Sequence, residues 1–469
     1  MSPSKADWQN LDEYLNVFAQ ITRNFMADLD ERPVGQITPQ LAKLPVSLQG
    51  EGFHQALAYL CDHIIPQLSA SRGPRYWGFV TGGATPVATF ADWLVSTFDQ
   101  NLSFDGDSVA CEVERHTIRW LCEMFDLPET FNGIITTGAT ASNFLGALCA
   151  RQFAGEQQGI DVAKQGAYQL EVEIFATTPH ASMIKSLGMA GLGQQSVTRV
   201  NAKPDSEAID VQHLAELLEA SQKPAKIIIA STATVTLTDF DDLQAISQLA
   251  QQHNAWLHVD AAFGLFARLL DDEKKRNLVD GIELADSITL DSHKWLNVPY
   301  ESGVFLTRHL DKLFASCNVP APYLASNHEA PSFLALGIEN SRRFRALPVW
   351  FTLLAYGKQG IASWINQSVN LAQQLAQKID ASAEYELVHP CQLNVVLFRP
   401  ACDNLQLDIA NQKTAEYLKA INLDGRLFLS PGRWQGKNII RMALSNWETD
   451  QLDIDIAIQC LQDIAKQLN

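Results

Sequence analysis

The chain has 469 residues, 46% of them hydrophobic and 19% charged, with a formal charge of -18. It can therefore bury a large core in two or three domains, while its acidity excludes the basic face a nucleic-acid partner needs. Eight dispersed cysteines (61, 111, 122, 149, 317, 391, 402, 460) show no CxxC or other metal-ligand spacing, which excludes a disulfide framework and a structural zinc. The first residues, MSPSKADWQNLDEYL, have neither a basic start nor an apolar core, and no window reaches a membrane-span length. The expectation is a cytoplasmic protein without membrane or nucleic-acid partners.

Residues 1–72 read as an N-terminal helical arm, because apolar residues recur at helical spacing over 8–29 and again over 52–68. The Gly/Pro-containing stretch SRGPRYWGFVTGGATP follows. From about 130 to 310, short apolar runs alternate with helix-like stretches: Gly133 to Thr137, Glu173 to Ala176, Ser196 to Val200, Lys226 to Ala230, Trp256 to Val259, Ser287 to Leu290 and Gly303 to Thr307. Continuous apolar runs of this kind suit strands buried on both faces of a mainly parallel sheet, so 73–315 is predicted to be an α/β domain with ligands at strand C-terminal ends. Residues 316–340 are irregular, with Pro320, Pro322 and Pro331 breaking any helix, and read as a mobile loop. Residues 341–469 begin with a helical linker and continue into a smaller domain with strands near Leu393 to Phe398 and Ile439 to Leu444.

Four constellations stand where predicted strands end. In GIITTGATASNFLGAL a strand meets Gly138-Ala139 and then the hydroxyls Thr140 and Ser142 at a helix start, which makes a phosphate cup, with plain N-capping as the ordinary alternative. In HVDAAFG, Asp260 sits among small apolar residues where a protonated ring nitrogen could serve as its cationic partner, and Ala261-Ala262 leave room for a flat ring. A turn aspartate is the simpler reading of that residue alone. In TTPHASMIKSL, His180 could stack on a planar ligand or merely begin a helix. In DSHKWLNVPYES, Lys294 could snorkel to solvent or act as an amine that forms a Schiff base with an aldehyde.

One ligand uses all four features together, namely pyridoxal 5'-phosphate. A metal site drawn from His258, Asp260, His180 and His293 is the chemical rival, but only His258-x-Asp260 is close in sequence, and a metal explains neither cup nor lysine. No Walker lysine follows the cup, and GMAGLG at 188–193 has the wrong glycine spacing for a nicotinamide fold.

The motifs TGATASN, PHASMIKS, HVDAAFG, DSHKWLNVPYESG and RRFRALPVW resemble those of the group II pyridoxal-phosphate-dependent amino-acid decarboxylases, which act on aromatic amino acids, histidine or glutamate. The similarity runs from about Arg75 to the end and includes RYWGFVTGGATP and IIRMALSNW. It implies fold type I, the aspartate-aminotransferase-like architecture, with a mainly parallel seven-stranded sheet in the large domain and a smaller C-terminal α+β domain. It makes Lys294 the residue that carries the cofactor as a Schiff base, Asp260 the partner of the pyridine nitrogen, and His180 and Ala262 the contacts on the two ring faces. Ala139 and Thr140 match the phosphate-binding pair, with His293 nearby, and Ser231 matches a hydroxyl beside the cofactor. Thr81 falls near the substrate-carboxylate pocket. A homodimer with active sites at the subunit interface, and decarboxylation of an L-amino acid, are implied with them.

Substrate identity is less legible. Arg343, with its neighbours Arg342 and Arg345, could recognise a carboxylate or pair structurally, and Trp77, Phe79 and Trp295 could line an aromatic pocket or pack in the core. In many family members the mobile loop delivers a tyrosine that protonates the α-carbon, but the sequence after Tyr323, LASNHEAPSFLALGIENSRRF, contains none. Phe333 or Leu336 falls near that place, and His328 or water could substitute. Transamination and aldehyde-forming oxidative deamination therefore stand as alternatives on the same scaffold, with a non-catalytic cofactor-binding protein as a third reading.

Overall fold

In the computed structural model, which describes the chain apart from residues 1–6, 36–39, 42, 44, 45, 47, 48, 320–330, 403, 404 and 469, the seven apolar runs form one sheet. Its strands are β1 (Asn132–Thr136), β2 (Val172–Ala176), β3 (Val197–Arg199), β4 (Ala225–Ser231), β5 (Ala255–Asp260), β6 (Ser287–Asp291) and β7 (Gly303–Thr307), in the order β1-β7-β6-β5-β4-β2-β3. Only β7 runs against its neighbours, pairing antiparallel with β1 and β6; the remaining pairs are parallel. Every residue of β5, β6 and β7 is buried, which is why these strands read as unbroken apolar runs rather than alternating ones.

Helices cover both faces. Of those used below, α1 is Leu11–Ala27, α2 Pro86–Phe98, α3 Ala110–Met124, α4 Ala139–Glu156, α5 Ala181–Met189, α6 Ala346–Asp380, α7 Leu407–Asp424 and α8 Gln451–Leu468. The N-terminal segment is helical over α1 and again over Phe53–Tyr59, and α1 buries none of its residues. Helices α2 and α3 went unread in the sequence, although Pro86 at the first turn and the Thr85 side chain, which accepts from Ala88 N at 3.3 Å, form an ordinary N-terminal signal.

The C-terminal domain has a four-stranded antiparallel sheet rather than two strands: β8 (Tyr385–His389), β9 (Val395–Pro400), β10 (Ser430–Trp434) and β11 (Lys437–Ala443), ordered β10-β11-β9-β8. The two unforeseen strands are the edges, and β10 carries Pro431 and Gly432, tolerated there because an edge strand has a free side. Helix α6 is kinked at Gly357 (φ 60°, ψ 179°); it packs on the large-domain core as far as Val369, beyond the kink, and on the small-domain core from Leu371. The segment around Trp77 crosses over as well. Trp77 is fully buried among Phe398, Ile440 and Met442, and its backbone bonds Phe428 O and Ala443 N at 2.9 Å each.

The stretch read as a mobile loop is helical at its start, where Leu310–Cys317 extends into it. At its end, Phe333, Ala335 and Leu336 are buried and Leu334 N donates to Ser103 O. Pro320, Pro322, Tyr323 and His328 lie outside the described residues. None of the eight cysteines forms a disulfide among the described residues. Among the described residues no helix is long and apolar enough to cross a membrane.

Candidate active site

Lys294 sits in the turn that leaves β6, and the sequence fixes that turn through Asn297. This residue is fully buried with φ 55°, a left-handed conformation asparagine tolerates better than most. Its Oδ1 accepts from Gly83 N (2.8 Å) and Trp447 N (3.2 Å), and its Nδ2 donates to Trp295 O and Ser445 O. The turn is thus tied both to the TGG segment and to the strand exit after β11. Gly82 is needed for this approach, since a Cβ there would overlap the Lys294 carbonyl. Trp295 and Leu296 are fully buried, whereas the Lys294 side chain keeps 20% of its surface and reaches the cleft.

Its ammonium lies 3.0 Å from Asp291 Oδ2. The other oxygen of Asp291 accepts from Ala139 N, at the start of α4, at 2.5 Å. One carboxylate, 3% exposed, therefore links the lysine to the mouth of the anion cup. His293 stands just outside this pair: its Nδ1 accepts from Ser302 N at 3.1 Å and its ring tilts against Tyr300 at 4.5 Å. Desolvation lowers its pKa, opposed by Asp291.

Asp260, 9% exposed, ends β5. Its Oδ1 accepts from Ala262 N (3.2 Å) and its Oδ2 from Asn143 Nδ2 (2.9 Å). Asn143 also faces His258 Nε2 through Oδ1 (2.9 Å) and donates to Ser182 Oγ (3.0 Å). His180 caps α5, with its Nδ1 accepting from Ser182 N (3.2 Å) and 2.6 Å from Ser182 Oγ. The His180 ring opens to the cleft; partial desolvation lowers its pKa and Asp260 opposes that shift. His258 is completely enclosed, and desolvation lowers its pKa to about 4. Both of its ring nitrogens are occupied, by Asn143 and Ser287, so the His258-x-Asp260 pair is a hydrogen-bonded unit rather than a set of free metal ligands.

A cleft of about 270 Å³ gathers these groups. Lys294, Asp260, His180, Ala139, Ala262 and Ser231 all line it, on the C-terminal side of β1, β2, β4, β5 and β6. Thr140, His293 and Thr81 do not. The Thr140 carbonyl accepts from Ser186 Oγ, and Thr81 Oγ1 donates to Gly78 O, leaving its neighbours Phe79 and Val80 on the wall. Arg343, the expected substrate residue, does not line this cleft: its guanidinium pairs with Asp92 on α2 at 2.7 Å. Arg342 is buried against Glu114 and the Ile135 carbonyl, and Arg345 pairs with Glu301. Trp77 and Trp295 are core residues, and Phe79 alone of the three aromatics faces the cleft.

The arginine that does line the cleft is Arg441 on β11, which went unassigned in the sequence although it lies in IIRMALSNW. It donates to Val235 O (2.6 Å) and Ser430 Oγ (3.3 Å), its Nε has no partner, and no carboxylate among the described residues pairs with it. Burial lowers its pKa to about 10, with Glu207 opposing. Asn143 and Asp291 were likewise unassigned, though both stand inside quoted motifs.

The residues present fit pyridoxal phosphate. A Cβ on Gly138 would come within 3.2 Å of His293 Cε1 and 3.6 Å of Asp291 Oδ1, so the glycine keeps the cup open. An enclosed carboxylate, an imidazole, a small alanine and a primary amine then face one space.

Comparison with known proteins agrees. A family model of the pyridoxal-dependent decarboxylase conserved domain matches residues 39–401. An aromatic-L-amino-acid decarboxylase of Bacillus atrophaeus is 28% identical over 421 residues, covering 87% of this chain and 85% of the relative. A phenylacetaldehyde synthase of Arabidopsis thaliana is 24% identical and covers 98% of this chain and 97% of its own. Among solved structures, Oryza sativa TDC with PLP and tryptamine superposes with a TM-score of 0.89 over 98% of both chains at 19% identity, a likeness of fold.

Proposed function

The chain belongs to the pyridoxal-dependent decarboxylase family, and on that premise we propose that it releases the α-carboxyl group of an L-amino acid as carbon dioxide. The observation that carries this reading is the convergence of Lys294, Asp260 and His180 on one cleft. Pyridoxal phosphate, held covalently at Lys294, supplies the electron sink for the carboxylate's bonding pair. The phosphate would lie against Ala139 at the positive end of α4, with Thr140 next to it; the Ala139 amide would have to leave Asp291 to reach it. The Asp260 carboxylate keeps a proton at the ring nitrogen, and His180 and Ala262 restrict the ring to one plane. Ser231 borders it. Arg441, rather than Arg343, takes a substrate carboxylate, since a desolvated guanidinium without an anionic partner gains most from one. A homodimer completes the proposal; the exposed apolar residues Phe90, Trp93, Leu94 and Phe98 on α2 support it.

A second reading, in which dioxygen oxidises the α-carbon after carbon dioxide leaves, so that water, dioxygen and the amino acid give aldehyde, ammonia, carbon dioxide and hydrogen peroxide, is favoured by one observation: residues 324–340 contain no tyrosine to return a proton to the α-carbon. The relative whose name declares an aldehyde product supports it. The test is a panel of amino acids assayed together for carbon dioxide, amine, aldehyde, keto acid and peroxide. Amine and carbon dioxide in equal amounts are expected. Aldehyde with peroxide would replace the first reading by the second, and keto acid without carbon dioxide would overturn both.

A further inference from the structure

We propose that Asn143 is a positioning residue: its carboxamide, held in one orientation by a chain of one-way hydrogen bonds that begins at Trp256, aims one donor at Asp260 and another at Ser182 beside His180. The chain runs through β5, β6, α4 and the start of α5, behind the cleft rather than in it. An indole N–H can only donate, and Trp256 Nε1 donates to Ser287 Oγ at 3.0 Å. Ser287 Oγ lies 2.8 Å from His258 Nδ1, and no other partner for this hydroxyl is present among the described residues, so its hydrogen goes to Nδ1. The neutral His258 ring then carries its proton on Nε2, 2.9 Å from Asn143 Oδ1.

That commits the oxygen of Asn143. Both Nδ2 hydrogens face the other way, to Asp260 Oδ2 at 2.9 Å and Ser182 Oγ at 3.0 Å. Ser182 Oγ, having accepted one hydrogen, passes its own to His180 Nδ1 at 2.6 Å, where Ser182 N also donates. Asp260 thus receives a donor without losing its charge. His180 keeps its proton on Nε2.

Reversing the links leaves the Ser287 hydroxyl hydrogen unpaired in the interior, or turns the Asn143 oxygen toward the Asp260 carboxylate; both arrangements are penalised. Trp256, Ser287, His258 and Asn143 are each 1% exposed or less, so water does not compete. Gly146, one turn along α4 from Asn143, makes the room: a Cβ there would overlap the His258 imidazole.

The test uses the full chain as purified, labelled with ¹⁵N-histidine, with the two rings assigned through His258→Gln and His180→Gln. His258 is expected to carry its proton on Nε2 with Nδ1 bare. In Asn143→Leu the ring loses its acceptor, its nitrogen signals move toward a mixed-tautomer average, and the dissociation constant for pyridoxal phosphate, read by equilibrium dialysis, rises at least about tenfold. Ser287→Ala leaves Asn143 and Asp260 in place and removes only the donor to His258 Nδ1, so the Nε2 proton stays directed at Asn143 Oδ1 and the Nδ1 signal alone moves toward that of an unbonded nitrogen; a folding defect in the first variant therefore does not decide the outcome. His258 protonated on Nδ1 in the unaltered chain, an unchanged spectrum in folded Asn143→Leu, or loss of the Nε2 proton in folded Ser287→Ala overturns the proposal. An unaltered chain that bound no pyridoxal phosphate would instead overturn the proposed function.

Discussion

Lys294 is the residue whose role can be tested most directly. Lys294→Ala should abolish the visible absorbance of the lysine-bound cofactor in purified protein, and an unchanged spectrum would remove it from that role. Asp260→Ala should retain some cofactor but lose most turnover, since nothing then holds the ring nitrogen protonated; near-normal rates would count against it. His258 gives a pH prediction. Its folded pKa of about 4 lies below the ordinary value of 6.5, so below pH 6.5 the unfolded chain binds a proton that the folded chain refuses. Stability is lost as pH falls from 6.5 toward 4, by about 2 kcal/mol between pH 7 and 5. Asp241, raised to about 6 by burial, titrates with the opposite sign in the same window. Urea midpoints should therefore be compared between the native chain and His258→Gln, and parallel pH profiles would refute the assignment. At this scale the sequence was legible where a residue type has few uses in its context, as with Lys294, Asp260 and His180. Asn143, Asp291 and Arg441 were not, because each acts through a neighbour more than a hundred residues away.

The elements show the same division. Strands buried on both faces announce themselves as apolar runs, and all seven of the large sheet could be read. The edge strands β8 and β10 could not: β10 carries Pro431 and Gly432 and looks like a turn, and β8 is mostly half-buried and lacks an apolar run. That mattered for the site, because the small sheet contributes to it. β11 pairs with β10 so that Arg441 and Ser430 face each other and the guanidinium crosses to the Val235 carbonyl of the large domain. A charge-assisted contact to a substrate carboxylate there is worth about 1.5–3 kcal/mol. Arg441→Met should accordingly lower kcat/KM by roughly 10- to 100-fold while leaving the cofactor spectrum intact. Equal loss of cofactor would make Arg441 a structural residue instead.

For the whole molecule, α1 buries nothing within its own chain, and α2 leaves Phe90 55% and Trp93 45% exposed. Patches of this kind mark association surfaces. Light scattering on purified protein should give about 104 kDa, twice the chain mass of 51.9 kDa, and Trp93→Glu should shift it toward the monomer. A single-chain mass for the native protein would remove the dimer. The crossing of Trp77 into the C-terminal core also has a consequence in time. The strand that Phe79 N reaches, at Ser430, is made 351 residues later. At bacterial-to-eukaryotic synthesis rates of about 5–20 residues per second, that interval is roughly 20–70 s. Throughout it a large indole stands without the partners that will enclose it, so the last domain to emerge from the ribosome is closed by one of the first segments made.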